Sequence, residues 1–439
     1  MKRKTFPHGT HPPSFKELTA EKPIEFMPAP DKVYIPLLQH FTSPAVPLVK
    51  KGDAVFLGQK IGDSAALFSA PVHSSVSGRV LAVDQFDHPS GRPHLAVTVA
   101  NDGQDRIPPE KEKIRDPMFL TPDEIRQIVR DAGIVGLGGA AFPTAVKLSP
   151  PKDKPIDTLL INGCECEPWL TSDYRLMLEH PEEIIRGADL ARRALGAQRI
   201  IIGIEDNKPK ALEAFQAHIL HFPVEVALLK TKYPQGAEKN LIFALLRRKV
   251  PRGGLPFDVG VVVLNVATAK AIWDAAGERK SLYQRAITVS GIGVEEPKNI
   301  LVRVGTLLQK VTDFCGGLKA GADLLILGGP MMGMALSTLE IPVIKGTTGV
   351  LVWTSAPLGL EYNCISCGRC VTHCPMSLVP TRLMKYIKFE KFAEAEAWGI
   401  LDCVECGCCQ YSCPAKIPLV HWIRVGKNKI VSLKRKKSA

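Results

Sequence analysis

No stretch of this 439-residue chain is long and apolar enough to cross a bilayer. The uncharged run over residues 324–339 is broken by Gly328, Gly329, Pro330 and Gly333, and a spanning helix needs ~20 mostly apolar residues. The basic start, Met1-Lys2-Arg3-Lys4, is not followed by an apolar segment; this argues against a secretory signal and leads us to expect a cytoplasmic protein. Acids are missing from the C-terminal end. From residue 424 onward seven cations, Arg424, Lys427, Lys429, Lys434, Arg435, Lys436 and Lys437, meet no Asp or Glu, within a net charge of +12. A solvated, disordered tail is the plain expectation. The sharper one is attraction to anionic lipid or to an acidic partner, worth ~1 kcal/mol per basic residue near the surface. No aromatic-rich basic face or reader motif accompanies these charges, so nucleic acid is not the expected partner.

The hydrophobic fraction, 45%, and the charged fraction, 23%, are ordinary for a soluble globular protein, so there is apolar material for real cores. The length suggests about three domains, and 35 prolines with 36 glycines imply short modules rich in turns. Residues 30–100 read as short strands punctuated by Gly52, Gly58, Gly62, Gly78 and Gly91, a small β-sandwich or barrel. Residues 101–115, with Pro108-Pro109, read as a linker. Thr121-Pro122-Asp123-Glu124 then starts a helix with a cap, a first-turn proline and an acid three residues after the cap. Strand and helix alternate from there to about residue 275, with buried strands at 158–161, 199–204 and 259–264 and a helix over 181–195 stopped by Gly196; this implies a largely parallel α/β sheet. Residues 286–291 and 300–304 look like paired strands. Thr306 and Gln309 fit a capping box for a short helix, completing a compact, separate unit. Residues 382–398 have helical composition, with Leu383, Met384, Ile387 and Phe392 on one face.

Twelve cysteines in an expected cytosolic chain are not a disulfide set. Cys364-Ile-Ser-Cys367-Gly-Arg-Cys370-Val-Thr-His-Cys374-Pro375 is a complete C-x2-C-x2-C-x3-C-P run, and Cys403-Val-Glu-Cys406-Gly-Cys408-Cys409-Gln-Tyr-Ser-Cys413-Pro414 is a second. Three closely spaced thiolates wrap one cubane while the fourth of the run ligates the other. One [4Fe–4S] cluster is therefore expected on Cys364, Cys367, Cys370 and Cys413, the second on Cys374, Cys403, Cys406 and Cys409. Zinc is the alternative, but zinc is usually met by two separated pairs. The long helix-like stretch between the runs points to a helical ferredoxin-type module. Two cubanes sharing both runs form a wire for single electrons. Cys408 falls outside the ligand spacing and is expected to be structural.

The loop Gly136-Leu-Gly138-Gly139-Ala-Ala-Phe142-Pro143-Thr144 leads into a helix start, which suits close approach to a flat or anionic ligand; a structural turn is an equal alternative. The strand at 158–161 ends in Asn162-Gly163-Cys164-Glu165-Cys166-Glu167-Pro168. Ligands of α/β sheets bind beyond the carboxyl ends of strands, so Asn162, Glu165 and Glu167 are placed to hydrogen-bond a ribose or flavin ring, against the alternative of a solvated surface turn. Cys164, Cys166 and Cys315 read as packing residues.

Gly136-Leu-Gly-Gly-Ala-Ala-Phe-Pro-Thr-Ala-Val-Lys147 followed by the Asn162 to Pro168 turn resembles the flavin- and NADH-binding subunit of respiratory complex I, with Gly236-Ala-Glu238 and Leu264-Asn265-Val-Ala-Thr268 similar to its later motifs. With HGTHPPSFKELT, IPLLQH, PLVKKGD and PVHSSVSGRV at the start, ITVSGIG further on and the two cysteine runs at the end, the order of modules over about residues 5–425 resembles the RnfC/RsxC family of the Rnf electron-transport complex. The resemblance implies a multidomain α/β plus β architecture. Its parts are a barrel-sandwich domain (1–105), a Rossmann-like α/β FMN/NADH domain (116–275), an SLBB-like β-grasp unit (284–335), a helical dicluster ferredoxin domain (355–425) and the basic tail (426–439).

It further implies the peripheral, NADH-handling part of a membrane-bound ferredoxin:NAD+ oxidoreductase coupled to Na+ or H+ translocation, on the cytoplasmic face of a bacterial membrane. Electrons pass between NAD(H), FMN and the clusters, and the partners are the membrane subunits and the ferredoxin-like subunit. On this footing Gly136, Gly138 and Gly139 line the FMN and pyrophosphate region, and Lys147 approaches the FMN phosphate. Asn162 and Glu165 contact the flavin, Phe142 stacks on the dinucleotide, and Glu167 helps place the nicotinamide. Glu165 and Glu167 are the candidate catalytic residues, and Glu238, Asn265 and Thr268 complete the site. Leu137 stands where complex I has arginine, Cys164 replaces an aspartate and Ala141 a glycine. The barrel-sandwich module shows no clear lysine for modification and is expected to be structural. A cobalamin reductase of bacterial microcompartments and a non-catalytic electron relay are the competing readings.

Overall fold

The computed structural model describes residues 3–40, 43–108, 116–354 and 359–438; part of the expected linker, 109–115, lies outside them. The central module is a four-stranded, fully parallel sheet in the order Val224–Leu229, Arg199–Glu205, Thr158–Gly163, Val261–Asn265. Its strands are near-continuous apolar runs because helices cover both faces. On one face helix Pro181–Leu195 crosses helix Val266–Glu278 so closely that a Cβ on Gly187 would lie 1.8 Å from the Ala269 carbonyl oxygen. The sheet's entry helix, Pro122–Asp131, begins with the expected reciprocal cap between Thr121 and Glu124. Gly196 ends helix Pro181–Leu195 at φ 68°.

The N-terminal module is the expected small β-structure. One sheet holds Lys32–Pro36, His94–Asn101, Gly78–Phe86 and Ala54–Val55, and a second holds Val46–Pro47, Lys60–Asp63 and Val72–His73, around a core that includes Val33, Ile35, Ile61, Val97 and Val99. Before it, residues 3–20 run as a strap along the parallel sheet. Lys4 N–H donates to the Leu228 carbonyl and Lys230 N–H to the Lys4 carbonyl, Thr10 pairs with Tyr233, and Phe15 stacks on Trp169 at 4.7 Å.

The third module is not the separate unit expected. Its paired strands, Gln284–Ser290 and Lys298–Arg303, sit in a six-stranded sheet with Ile24–Phe26, Leu324–Leu327, Met334–Leu336 and Gly349–Trp353. The proposed capping box also fails: helix Leu308–Phe314 starts after Leu307, no side chain caps it, Thr306 Oγ1 is buried without a partner, and Gln309 turns to Asp313. Residues 382–398 form two helices, Pro380–Lys388 and Phe392–Ala397, with Glu390 at φ 55° between them. The basic tail is helical rather than disordered. Helix Leu419–Ser438 continues through it because Ile423 and Ile430 are buried against the cluster module, and Glu405 pairs with both Arg424 and Lys427. Among the described residues no helix is long and apolar enough to cross a membrane.

Candidate functional site

Parallel strands bring their carboxyl ends to one edge, and the residues singled out in the α/β module meet there. Asn162 donates to the Gly236 carbonyl (2.8 Å) and accepts from Cys164 N–H (3.1 Å), joining the acidic turn to the loop before helix Glu238–Leu246. Asn265 caps helix Val266–Glu278 by accepting from Ala267 N–H (2.8 Å) and donates to Asp173 (2.6 Å). Thr268 accepts from Leu137 N–H (2.9 Å), so the glycine loop hangs from the first turn of that helix. Gly138 and Gly139 are exposed; a Cβ on Gly138 would lie 3.5 Å from Asn265, and Gly139 (φ 103°) and Ala141 (φ 50°) are left-handed. Phe142 meets Phe68, carried by the N-terminal module, at 5.9 Å. Lys147 is held by Glu238 (2.8 Å) and the Val263 carbonyl (3.1 Å).

The two acids of the turn have different surroundings. Glu165 accepts from the N–H groups of Asp173 and Tyr174 at the start of helix Ser172–Glu179 (2.7 and 3.2 Å). Burial nevertheless pushes its carboxyl up, opposed by the nearby Lys16 ammonium. Glu167 turns the other way. It accepts from Met331 N–H (3.0 Å), lies 3.3 Å from the Tyr233 hydroxyl, and is pushed up to about 7 by burial. Cys164 and Cys166 are held protonated by burial, the latter at about 12, as packing residues would be.

Several residues here were missed. Lys16, on the strap, donates to the carbonyls of Glu165 and Glu167 (both 2.9 Å) and of Leu170, tying the acidic turn from below. Arg285, from the third module, donates to the Leu137, Lys345 and Thr347 carbonyls and braces the glycine loop. The loop Gly328-Gly329-Pro330-Met331 lies so close to Glu167 that a Cβ on Gly329 would sit 2.2 Å from Oε2. The only signals in the sequence were the quoted strap motif around Lys16 and the glycine-proline interruption of the uncharged run; nothing marked Arg285 or Tyr233.

The cysteines gather in two places. Cys364, Cys367, Cys370 and Cys413 line one cavity of about 440 Å³, and Cys374, Cys403, Cys406 and Cys409 line a second, narrower one. Each set takes three thiols from one run and one from the other. A single tetrahedral zinc would draw its thiolates to within ~4 Å of one another. Among the described residues no group of three or more His, Cys, Asp or Glu is drawn together for a single ion, so two four-thiol cavities suit a larger inorganic core. Cys364 and Cys367 are exposed, whereas Cys374, Cys406 and Cys409 are buried. Cys408, as expected, is no part of either set: it is fully buried beside Thr10 and the Tyr233 carbonyl.

Four family models match in chain order: an RnfC barrel sandwich hybrid domain over 4–104, a Nuo51 FMN-binding domain over 129–274, an SLBB domain over 286–335 and a 4Fe-4S dicluster domain over 360–414. The chain is 48% identical to the RnfC-type component of the proton-translocating ferredoxin:NAD(+) oxidoreductase complex of Clostridium ljungdahlii, covering 96% of this chain and 93% of that one. The chain belongs to the RnfC family. A second RnfC-family relative, from the Na(+)-translocating ferredoxin:NAD(+) oxidoreductase complex of Acetobacterium woodii, is 45% identical over 99% of both chains. A chain of an NAD+-reducing [NiFe]-hydrogenase shares the fold, with a TM-score of 0.51 at 22% identity, over 72% of this chain and 67% of that one. The RnfC architecture of barrel sandwich, Rossmann-like FMN module, SLBB unit and helical iron–sulfur module is thus present, and with it an FMN-binding domain and a dicluster domain. The residues present fit a flavin. Exposed glycines stand at the sheet's carboxyl edge, and the Thr144 hydroxyl and the Gln235 amide, both fully buried, have no protein partner.

Proposed function

We propose that this chain is the peripheral NAD(H)-handling subunit of an ion-translocating ferredoxin:NAD+ oxidoreductase on the cytoplasmic face of a bacterial membrane. One observation carries the reading: a four-thiol cavity, that of Cys374, Cys403, Cys406 and Cys409, abuts the acidic turn of the FMN module through Tyr233, whose hydroxyl donates to the Cys406 carbonyl (2.7 Å). Two [4Fe–4S] clusters are assigned to Cys364, Cys367, Cys370 and Cys413 and to Cys374, Cys403, Cys406 and Cys409. FMN is assigned to the glycine loop at Gly136, Gly138 and Gly139, with Asn162, Glu165, Asn265 and Thr268 framing it and Phe142 facing the dinucleotide.

Flavin, when bound, converts between hydride chemistry and single-electron transfer; the chain's residues do the rest. Lys16 and the start of helix Ser172–Glu179 hold Glu165 in place. Lys147, paired with Glu238, stands at the same edge as a cation for phosphate. Arg285 keeps the glycine loop against the third module. Electrons leave at the other cavity, where exposed Cys364 and Cys367 are surrounded by Leu360 (74% exposed), Tyr362 and Ile365 (69%), with Arg382 and Lys385 lining the mouth. That apolar, basic-rimmed face suits an acidic iron–sulfur partner, and we assign it to the ferredoxin-like subunit of the complex. The relatives give no support to the corrinoid-reductase alternative.

Anaerobic purification with iron, sulfide and flavin analysis, followed by NADH titration watched by EPR, tests the assignment. About eight irons per chain are expected, with flavin and with cluster reduction by NADH. Zinc in place of iron, or intact clusters that neither bind FMN nor bleach with NADH, overturns it.

A further inference from the structure

Tyr233 has one hydroxyl proton and two acceptors. Its oxygen lies 2.7 Å from the Cys406 carbonyl and 3.3 Å from Glu167 Oε1. A phenol donates one hydrogen bond and accepts others. When the hydroxyl serves Cys406, the Glu167 carboxylate faces its lone pairs, and the contact is satisfied only when Glu167 carries a proton and donates it to Tyr233. The third module closes on the same carboxyl: Met331 N–H reaches Oε2, while Gly329 leaves no room for any side chain between them. Tyr233, Cys406, Cys408, Cys166 and Met331 pack as one cluster around this point. Among the described residues the cation near Glu167 is Lys16, whose ammonium is spent on the turn carbonyls and on Glu165; the other titratable neighbours, Tyr233 and the protonated Cys166 thiol, are neutral. Glu167 is partly buried, so water delivers a proton to it without opening the fold.

We propose that Glu167 takes up the proton that accompanies reduction of the cluster held by Cys374, Cys403, Cys406 and Cys409, with Tyr233 as the link. One electron arrives from the NAD(H) side and enters the cluster; one proton leaves water and bonds to Glu167 Oε1; the added negative charge is offset within the site. The carboxyl already sits at about 7 through burial, and a negative charge added beyond Tyr233 raises it further. Coupling therefore spans the pH range from about neutrality upward to the higher value, and the cluster becomes harder to reduce as pH rises through that range. Below both values Glu167 is protonated throughout and the potential is flat. Ordinary surface carboxylates titrate near 4 and give no such dependence above neutrality.

This inference rests on the assignment of those four thiols. EPR-monitored redox titration of the anaerobic full-length chain between pH 6 and 9 tests it. Of the two cluster signals, one is expected to fall in midpoint with rising pH, with a limiting slope of about 59 mV per unit, the one-electron equivalent of a tenfold change. The other signal stays flat. Glu167→Gln removes the slope without loss of iron. Tyr233→Phe, which deletes the link but keeps the ring, at least halves the slope, and it decides the matter should Glu167→Gln fail to assemble. Two clusters with pH-independent midpoints overturn the proposal alone, as does a slope that survives Glu167→Gln. A chain with only one cluster overturns the thiol assignment and this inference with it.

Discussion

Replacing Lys16 with methionine tests how the acidic turn is held. The side chain keeps its length and its packing, but the ammonium is lost. In the native chain that group donates to the Glu165, Glu167 and Leu170 carbonyls and pairs with Glu165 at 3.9 Å, with only 13% and 5% of the two side chains exposed. Removing one partner of a buried pair costs roughly 3–5 kcal/mol, because the other is left uncompensated. At 1.4 kcal/mol per tenfold change, opening of the turn becomes about 10²- to 10³-fold more frequent. Hydrogen exchange followed by mass spectrometry reads this directly, since amide exchange follows the local opening equilibrium. Peptides covering 162–179 are expected to exchange faster by that factor, while strand peptides from 78–101 in the N-terminal module keep their rates. Acceleration below tenfold, or acceleration spread evenly over the molecule, would show that Lys16 does not hold the turn.

The crossed ligand sets give a sharper cysteine test. Cys413→Ser should eliminate the exposed cluster of Cys364, Cys367 and Cys370, and Cys374→Ser the buried one, each read as loss of one of two EPR signals; loss of the signal belonging to the mutated run refutes the crossing. Gly329→Ala places a Cβ 2.2 Å from Glu167, and overpacking of ~1–3 kcal/mol or more should displace the Met331 contact, seen as faster exchange over 326–334 with iron content retained. Glu165 and Glu167 both have folded-state values raised above those of an unfolded chain. Their contribution to stability is therefore fully present below about pH 4 and is lost as pH rises through the folded values. Opening of the turn should be more frequent at pH 8 than at pH 5, and Glu167→Gln should flatten part of that trend; a turn that tightens with rising pH would contradict the sign. Asn265→Ala removes a helix cap worth ~1 kcal/mol together with the Asp173 contact, and should lower flavin content more than it lowers thermal stability.

Much of this was legible in the residue order because the relevant physics is local. Cysteine spacing alone divides eight thiols between two cores, and the cavities contain those same two sets. The cap at Thr121, the stop at Gly196 and the run of apolar strands are read from neighbours a few positions apart, and parallel strands necessarily bring Asn162 and Asn265 to one edge. Tertiary contact decided the rest. Thr306 has the residue type of a cap, yet the chain enters the following helix one residue later, at Leu307. The tail's charges predict disorder until Ile423 and Ile430 find an apolar bed and Glu405 meets two of the cations. Lys16 reads as an ordinary surface cation, and it becomes structural only when the strap lays it beneath three carbonyls some 150 residues away. Tyr233 and Glu167 have no relation in the sequence. Their contact exists because the strand edge, the third module and the cluster module converge on one point, and convergence of distant segments leaves no periodicity or spacing to read.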